Sequence, residues 1–322
     1  MSIPRTNELR IETSTICNAA CVFCPWPTDD FIRNKKIMSL KDYQFYLDKA
    51  LEELGDQITE TSFSGFGEIF LDKTVIDKIE YACSKDLNVH ILTNGSLVTT
   101  DQIDAMFNAG IKDIRFSIHT TDPINYTKIM NFGGAKFNFE RTKSTIDYAI
   151  ANKPDNIEVI ITADIVEENK DDVEKLIMEF EDRCILEVWY PHNWVYGKKY
   201  RDTSETAALT TCGRPASGPI QLQIEGDIIM CFFDFNNKML LGNFRNQSFK
   251  EIFNDSIFKN IYQIHEMGTC GSSDLICNGC DQLLDKSNII IYNNRDKKEE
   301  RTKFTSTGLS NIIKRSINNG KR

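Results

Sequence analysis

The sequence predicts an α/β fold: a parallel sheet of six strand–helix repeats, open or curled into a partial (β/α)6 barrel of TIM type, followed by a small α+β unit made of a β-hairpin and a helix. Three observations predict it. Over residues 9–194, short runs rich in Ile, Val, Phe and Thr alternate with amphipathic stretches, as buried parallel strands alternate with crossover helices. Beyond about residue 195 that rhythm stops, and residues alternate apolar and polar about a turn. The cysteines fall mainly into two groups, one in each part.

The elements follow in order. Strand-like runs are Leu9–Ile16, Thr59–Ser64, Asn88–Leu92, Asp113–His119, Asn156–Ala163 and Ile185–Tyr190. Helical stretches between them include Lys73–Lys85, Asp101–Asn108, Phe139–Asn152 and Lys170–Glu181. Asp101 reads as the N-cap of its helix, and Gly110 falls just past that helix's end. Six such repeats imply a parallel sheet with right-handed crossovers, open or curled into a partial barrel. Residues 219–235 (PIQLQIEGDIIMCFFDF) read as a hairpin turning at Glu225-Gly226-Asp227, with Cys231 on its second strand. Ser248–His265 reads as one amphipathic helix, then come a cysteine-rich loop and a polar tail. The expected division is 1–200 for the barrel, 201–285 for the small unit and 286–322 for a basic, flexible tail.

With 41% hydrophobic and 26% charged residues in 322, the chain is excluded from collagen-like, disordered and coiled-coil classes. No apolar run approaches the roughly 18–20 residues of a membrane span, and MSIPRTNELR is no signal peptide, so a cytoplasmic protein is expected. The net charge of −9 argues against nucleic acid as a partner. From Lys286 to Arg322 there are ten Lys/Arg against three Asp/Glu. That tail suits a phosphate-bearing partner or a merely solvated terminus.

Ten cysteines in a reducing compartment point to metal rather than disulfides. Cys17-Asn-Ala-Ala-Cys21-Val-Phe-Cys24 follows the first strand as C-x3-C-x2-C. Three thiolates leave a structural zinc one ligand short, whereas an iron–sulfur cluster held by three keeps one iron open. The alternative is a zinc loop completed from afar. None of His90, His119, His192 and His265 is spaced to complete it.

At these residues, with the aromatic Phe23 just before the third cysteine, the sequence resembles the radical S-adenosylmethionine (SAM) superfamily. The resemblance implies a [4Fe–4S] cluster on Cys17, Cys21 and Cys24, with SAM chelating the open iron. It also implies reductive cleavage of SAM to a 5′-deoxyadenosyl radical that takes hydrogen from a substrate C–H bond. Ser64-Gly65-Phe66-Gly67-Glu68 stands in the place of the family's Gly-Gly-Glu segment. Gly65 and Gly67 would let backbone approach the ligand, and Glu68 would accept from SAM's ammonium. Ile69 stands where many members have proline. Thr93, in Thr93-Asn94-Gly95, and Ser117 match polar strand-end residues that bind SAM's carboxylate or ribose, or else serve ordinary turns. Arg141 is either a partner of SAM's carboxylate or an exposed helical arginine.

Cys212, Cys231 and Cys277-Asn-Gly-Cys280 can bring four thiolates to one site, as a cluster or as four-thiolate zinc. Thr211-Cys212-Gly213-Arg214-Pro215, Leu241-Gly242-Asn243 and the C-x2-C resemble the twitch domain, the shortened relative of the SPASM domain. The resemblance implies one auxiliary [4Fe–4S] cluster on these four cysteines, transferring electrons. No cysteine follows Cys280, so a second auxiliary cluster is not expected. Cys270 is an alternative ligand, a bystander, or a thiol donating hydrogen to a substrate radical. Cys83 and Cys184 read as small buried hydrophobes. The aromatic segment Trp189–Tyr196 lines a substrate pocket or forms interdomain core. The family context implies a small-molecule substrate and a flavodoxin- or ferredoxin-type electron donor. The leading reaction is oxidation of a secondary alcohol on a sugar or aminocyclitol. Epimerisation through Cys270, modification of a ribosomal peptide and a non-catalytic cluster-bearing sensor stand as alternatives.

Overall fold

The computed structural model describes residues 3–131, 139–194, 209–283 and 290–295. Six strands run parallel in chain order: β1 (Glu8–Ile11), β2 (Glu60–Phe63), β3 (Asn88–Thr93), β4 (Asp113–Ser117), β5 (Glu158–Asp164) and β6 (Ile185–Trp189). The intervening helices are α1 (Leu40–Leu54), α2 (Val75–Cys83), α3 (Thr100–Ala109), α4 (Pro123–Met130), α5 (Phe139–Asn152) and α6 (Val173–Phe180). The α/β partial barrel is borne out. A consecutive parallel order with crossover helices is the barrel's topology, not that of a doubly wound sheet.

Period-two alternation divides the two faces. Leu9 and Ile11, Val89 and Ile91, Ile114 and Phe116 are buried in the main hydrophobic core, with Tyr43, Tyr46, Leu47 and Ala50 of α1 in the same core. Glu8, Arg10, Ser62, His90, Asp113 and Arg115 occupy the other register and wall an interior cavity. Each core side chain sealed this way contributes about 1.5–3 kcal/mol, so the polar interior rests on an apolar outer layer.

The remaining chain extends this sheet. After α7 (Arg214–Ser217), β7 (Ile220–Leu222) pairs parallel with β1, and β8 (Asp227–Ile229) and β9 (Leu240–Asn243) add antiparallel strands. Gly226, at φ +89°, makes the hairpin turn, where a Cβ would meet the Tyr46 hydroxyl at 2.5 Å. Cys231 lies beyond the end of β8, not on it. The single helix expected over Ser248–His265 is two, α8 (Phe249–Asn254) and α9 (Ser256–Glu266). Asp255 interrupts it by adopting extended backbone and capping α9 through the Ile257 N–H. Thr99, not Asp101, caps α3, because its hydroxyl and Gln102 form a reciprocal capping box. Gly110 ends that helix at φ +82°.

A strand, β10 (Ile290–Asn293), stands inside the segment expected as a flexible tail and pairs antiparallel with β6. Arg295 fastens it through Glu158 at 2.9 Å. Residues 286–289 and 296–322 of that tail lie outside the described residues, as do Val195 and Tyr196 of the aromatic segment. Among the described residues no helix is long and apolar enough to cross a membrane.

Candidate functional site: two thiol sites joined by a barrel cavity

The loop after β1 carries Cys17, Cys21 and Cys24 and is tied down on three sides. Ala20 and Val22 donate their N–H groups to Met130 and Ile129 at the end of α4. The Glu68 N–H donates to the Ile16 carbonyl at 2.8 Å. Asn18, between the first two cysteines, joins Ser96 and Asn94 in the loop after β3, each at 2.9 Å. The three thiols, Phe23, Gly65, Gly67, Glu68, Thr93 and Ser117 all line one cavity of about 270 Å3. The structure therefore brings these residues expected around the first cluster to one cavity, whose lining does not include Arg141.

Glu68 is buried in that wall. Its Oε1 accepts from the Thr93 hydroxyl at 2.7 Å and from the Phe70 N–H at 3.1 Å, and its Oε2 accepts from the Asn94 N–H at 2.8 Å. Burial raises its carboxyl pKa, against the pull of these three donors. Oε2 keeps one acceptor site for a cation. Thr93 thus spends its hydroxyl on positioning Glu68. The glycines also answer to the chain itself: a Cβ on Gly67 would stand 2.5 Å from the Ser14 carbonyl oxygen, and one on Gly65 would stand 2.5 Å from Glu12 Cγ. Arg141 is exposed on α5.

A cavity of about 320 Å3, lined by charged, polar and aromatic side chains, lies inside the barrel and shares Ser64, Leu92, Ser117, Asp164, His192 and Phe232 with the first. Two of its arginines are paired, Arg10 with Glu8 at 2.6 Å and Arg115 with Glu187 at 2.6 Å, and His90 Nδ1 lies 2.7 Å from an Asp113 carboxylate oxygen. Asp164 ends β5 at the junction of the two cavities, where burial pushes its carboxyl up to about 7. Its backbone N–H donates to His119 Nδ1 at 2.9 Å, and burial holds that imidazole neutral, down to about 3. Phe23 meets the same imidazole edge-on at 4.7 Å. Sequence reasoning singled out neither Asp164 nor His119 for chemistry, since a lone acid at a strand end carries no pattern.

Cys212, Cys231, Cys277 and Cys280 line a third, apolar pocket with Met230, Met239, His265 and Arg214. His265 Nδ1 lies 2.9 Å from the Thr211 hydroxyl and 4.0 Å from Cys212 Sγ. Cys270 is fully buried beside Cys212 and Leu283. It lines neither the barrel cavity nor the three-cysteine cavity.

Burial lifts the thiols far above neutrality, Cys17 and Cys212 to about 11 and Cys24 to about 12. A metal entering either site must displace their protons. Among the described residues no three His, Cys, Asp or Glu donors are grouped as on a single metal ion. The donor sets still suit clusters: three thiols and a carboxylate round one open cavity, and four thiols round an apolar pocket.

Comparison with known families agrees. The Radical SAM superfamily matches residues 11–180, and an Iron-sulfur cluster-binding domain of SPASM type matches residues 212–281. The chain belongs to the radical SAM superfamily and is a radical SAM enzyme. It is 20% identical over 283 residues to the S-adenosyl-L-methionine-dependent 2-deoxy-scyllo-inosamine dehydrogenase of Niallia circulans, covering 85% of this chain and 92% of that one. The fold is similar to that of BtrN in complex with AdoMet and 2-DOIA, with TM-score 0.57 and 19% identity over 85% of this chain and 92% of the other. It is likewise similar to Streptococcus suis SuiB bound to precursor peptide SuiA, with TM-score 0.64 and 14% identity over 88% and 71% of the two chains.

Proposed function

We propose that this protein oxidises a secondary alcohol of a sugar or aminocyclitol, using one [4Fe–4S] cluster on Cys17, Cys21 and Cys24 and an auxiliary one on Cys212, Cys231, Cys277 and Cys280. The observation that carries the reading is a barrel cavity lined by charged, polar and aromatic side chains that shares lining residues with the three-cysteine cavity and Arg214 with the four-thiol pocket. The bound groups would supply hydrogen-atom abstraction from a substrate C–H bond at the first site and acceptance of one electron at the second. The protein's residues supply the rest. Glu68 receives the ammonium of SAM on its remaining acceptor site, and Ser117 faces both cofactor and substrate spaces. Asp164, at the same junction, takes the alcohol proton, since a carboxyl near 7 is matched to that exchange at neutral pH. Phe232, Trp189 and His192 line the same cavity and would pack against a substrate ring. A flavodoxin- or ferredoxin-type donor would deliver the initiating electron.

The 20% identity to the dehydrogenase over most of both chains supports the reaction class. The test is anaerobic turnover with SAM, a strong reductant and candidate cyclitols deuterated at one carbinol carbon. Deuterium in 5′-deoxyadenosine together with a carbonyl product is expected. Deuterium in 5′-deoxyadenosine with a redox-neutral product bearing one solvent hydrogen would replace oxidation with epimerisation.

A further inference from the structure

We infer that Arg214 is an anion-binding residue of the substrate cavity and that the ring substrate carries an oxyanion, a carboxylate or a phosphate. The inference rests on the small-molecule reading above and narrows its substrate class.

Three arginines wall the barrel cavity, and only two are compensated. Arg10 has Glu8 and Arg115 has Glu187. Arg214 is 5% exposed, and among the described residues its guanidinium has no ion-pair or hydrogen-bond partner. Its Nε is sealed from solvent with no acceptor. A buried, uncompensated guanidinium is costly unless something the protein binds completes it. Its mounting suits that purpose. Gly213, at φ +76°, and Pro215 fix the backbone on either side of it. The guanidinium carbon lies 5.0 Å from the Phe233 ring centroid. A guanidinium packed on a ring keeps its edge for two parallel hydrogen bonds, which a carboxylate or phosphate accepts together while supplying the countercharge; a neutral hydroxyl offers one oxygen and no countercharge.

The rival partner is the thiol set, because Arg214 also lines the four-thiol pocket and lowers the Cys212 pKa against the larger effect of burial. The experiment separates the two. Binding of glucose, glucuronate and glucose 6-phosphate to the iron-loaded, SAM-bound protein would be measured by titration calorimetry, for wild type, Arg214→Gln and Arg214→Lys. Iron content would be checked in each preparation. The expected result is that at least one anionic sugar binds roughly tenfold or more tighter than glucose. Arg214→Gln abolishes that preference and Arg214→Lys keeps part of it. The arm that prevails tells carboxylate from phosphate. No preference for an anion, no binding by any of the three, or a preference that survives in Arg214→Gln overturns the inference. So does an Arg214→Gln protein changed only in the reduction potential of its second site, which would assign the cation to the thiolates. Carbonyl formation is scored separately, so anion selectivity without oxidation would refute the proposed reaction and leave Arg214 as assigned.

Discussion

Asp164 ends β5 with its carboxyl facing both cavities, and burial there raises it to about 7. A proton acceptor works only when ionised, so kcat/KM should rise with pH through about 7 and then level off. His119 contributes no limb, since burial keeps it neutral down to about 3. Asp164→Asn should lose that limb and about 10²–10⁴-fold in rate, which a pH profile of carbonyl formation measures. Glu68 yields a second expectation. Both its oxygens face backbone N–H donors, from Phe70 and Asn94. In Glu68→Gln, either amide orientation therefore sets an NH2 against a donor. About 1–3 kcal/mol of stability should go, read by denaturant unfolding, and SAM affinity should fall roughly tenfold or more in equilibrium dialysis. Glu68 and the three cysteines are legible in the sequence because their spacing is itself the signal. Asp164 and Asn18 are not, since their meaning arises only when the fold lays β5 and the loop after β3 against the cysteine loop.

The loop from Ser64 to Glu68 is an element whose shape is set by contact with another. A Cβ at position 67 would meet the Ser14 carbonyl oxygen, which belongs to backbone and cannot turn aside. A Cβ at position 65 would meet the Glu12 side chain, which is held by Arg33 and by the Phe66 N–H yet still has torsions to spend. Gly67→Ala should therefore destabilise more than Gly65→Ala, by about 1–3 kcal/mol for the former, and should weaken SAM binding in step. Equal losses in thermal unfolding would refute this account of the glycines. The regular elements were readable to the extent that one physical signal dominated. Strands β2 to β6 follow their apolar runs closely. The two-helix break at Asp255 is hidden because the apolar stripe runs on through Ile252, Phe253, Ile257 and Ile261, while the cap that divides it is one carboxylate. At α3 the Thr99–Gln102 pair outcompetes Asp101 for the cap because it satisfies two backbone donors' needs at once.

At the scale of the molecule, one ten-stranded sheet carries both thiol sites, with β1 shared between the barrel and the hairpin that precedes Cys231. The sequence separates these parts by the change of rhythm near residue 195, but which strand accepts the hairpin depends on pairing that no local pattern encodes. Shared framework makes the iron content of the two sites a property of the whole chain, and it can be dissected. Reconstituted anaerobically, the native protein should hold about eight irons and matching sulfide, and a Cys17/Cys21/Cys24→Ala variant about four. The variant should keep its fold, because the hydrogen bonds that moor the loop, from Asn18, Ala20, Val22 and Glu68, do not pass through the thiols. Circular dichroism checks that. About four irons and one zinc in the native protein would instead put zinc on the four thiols, whose donor set satisfies it equally. Electron acceptance beside Arg214 would then be lost, and a redox-neutral reaction in the same cavity would replace oxidation. The ratio of iron between the two proteins thus decides whether the barrel cavity lies between two redox centres or beside one.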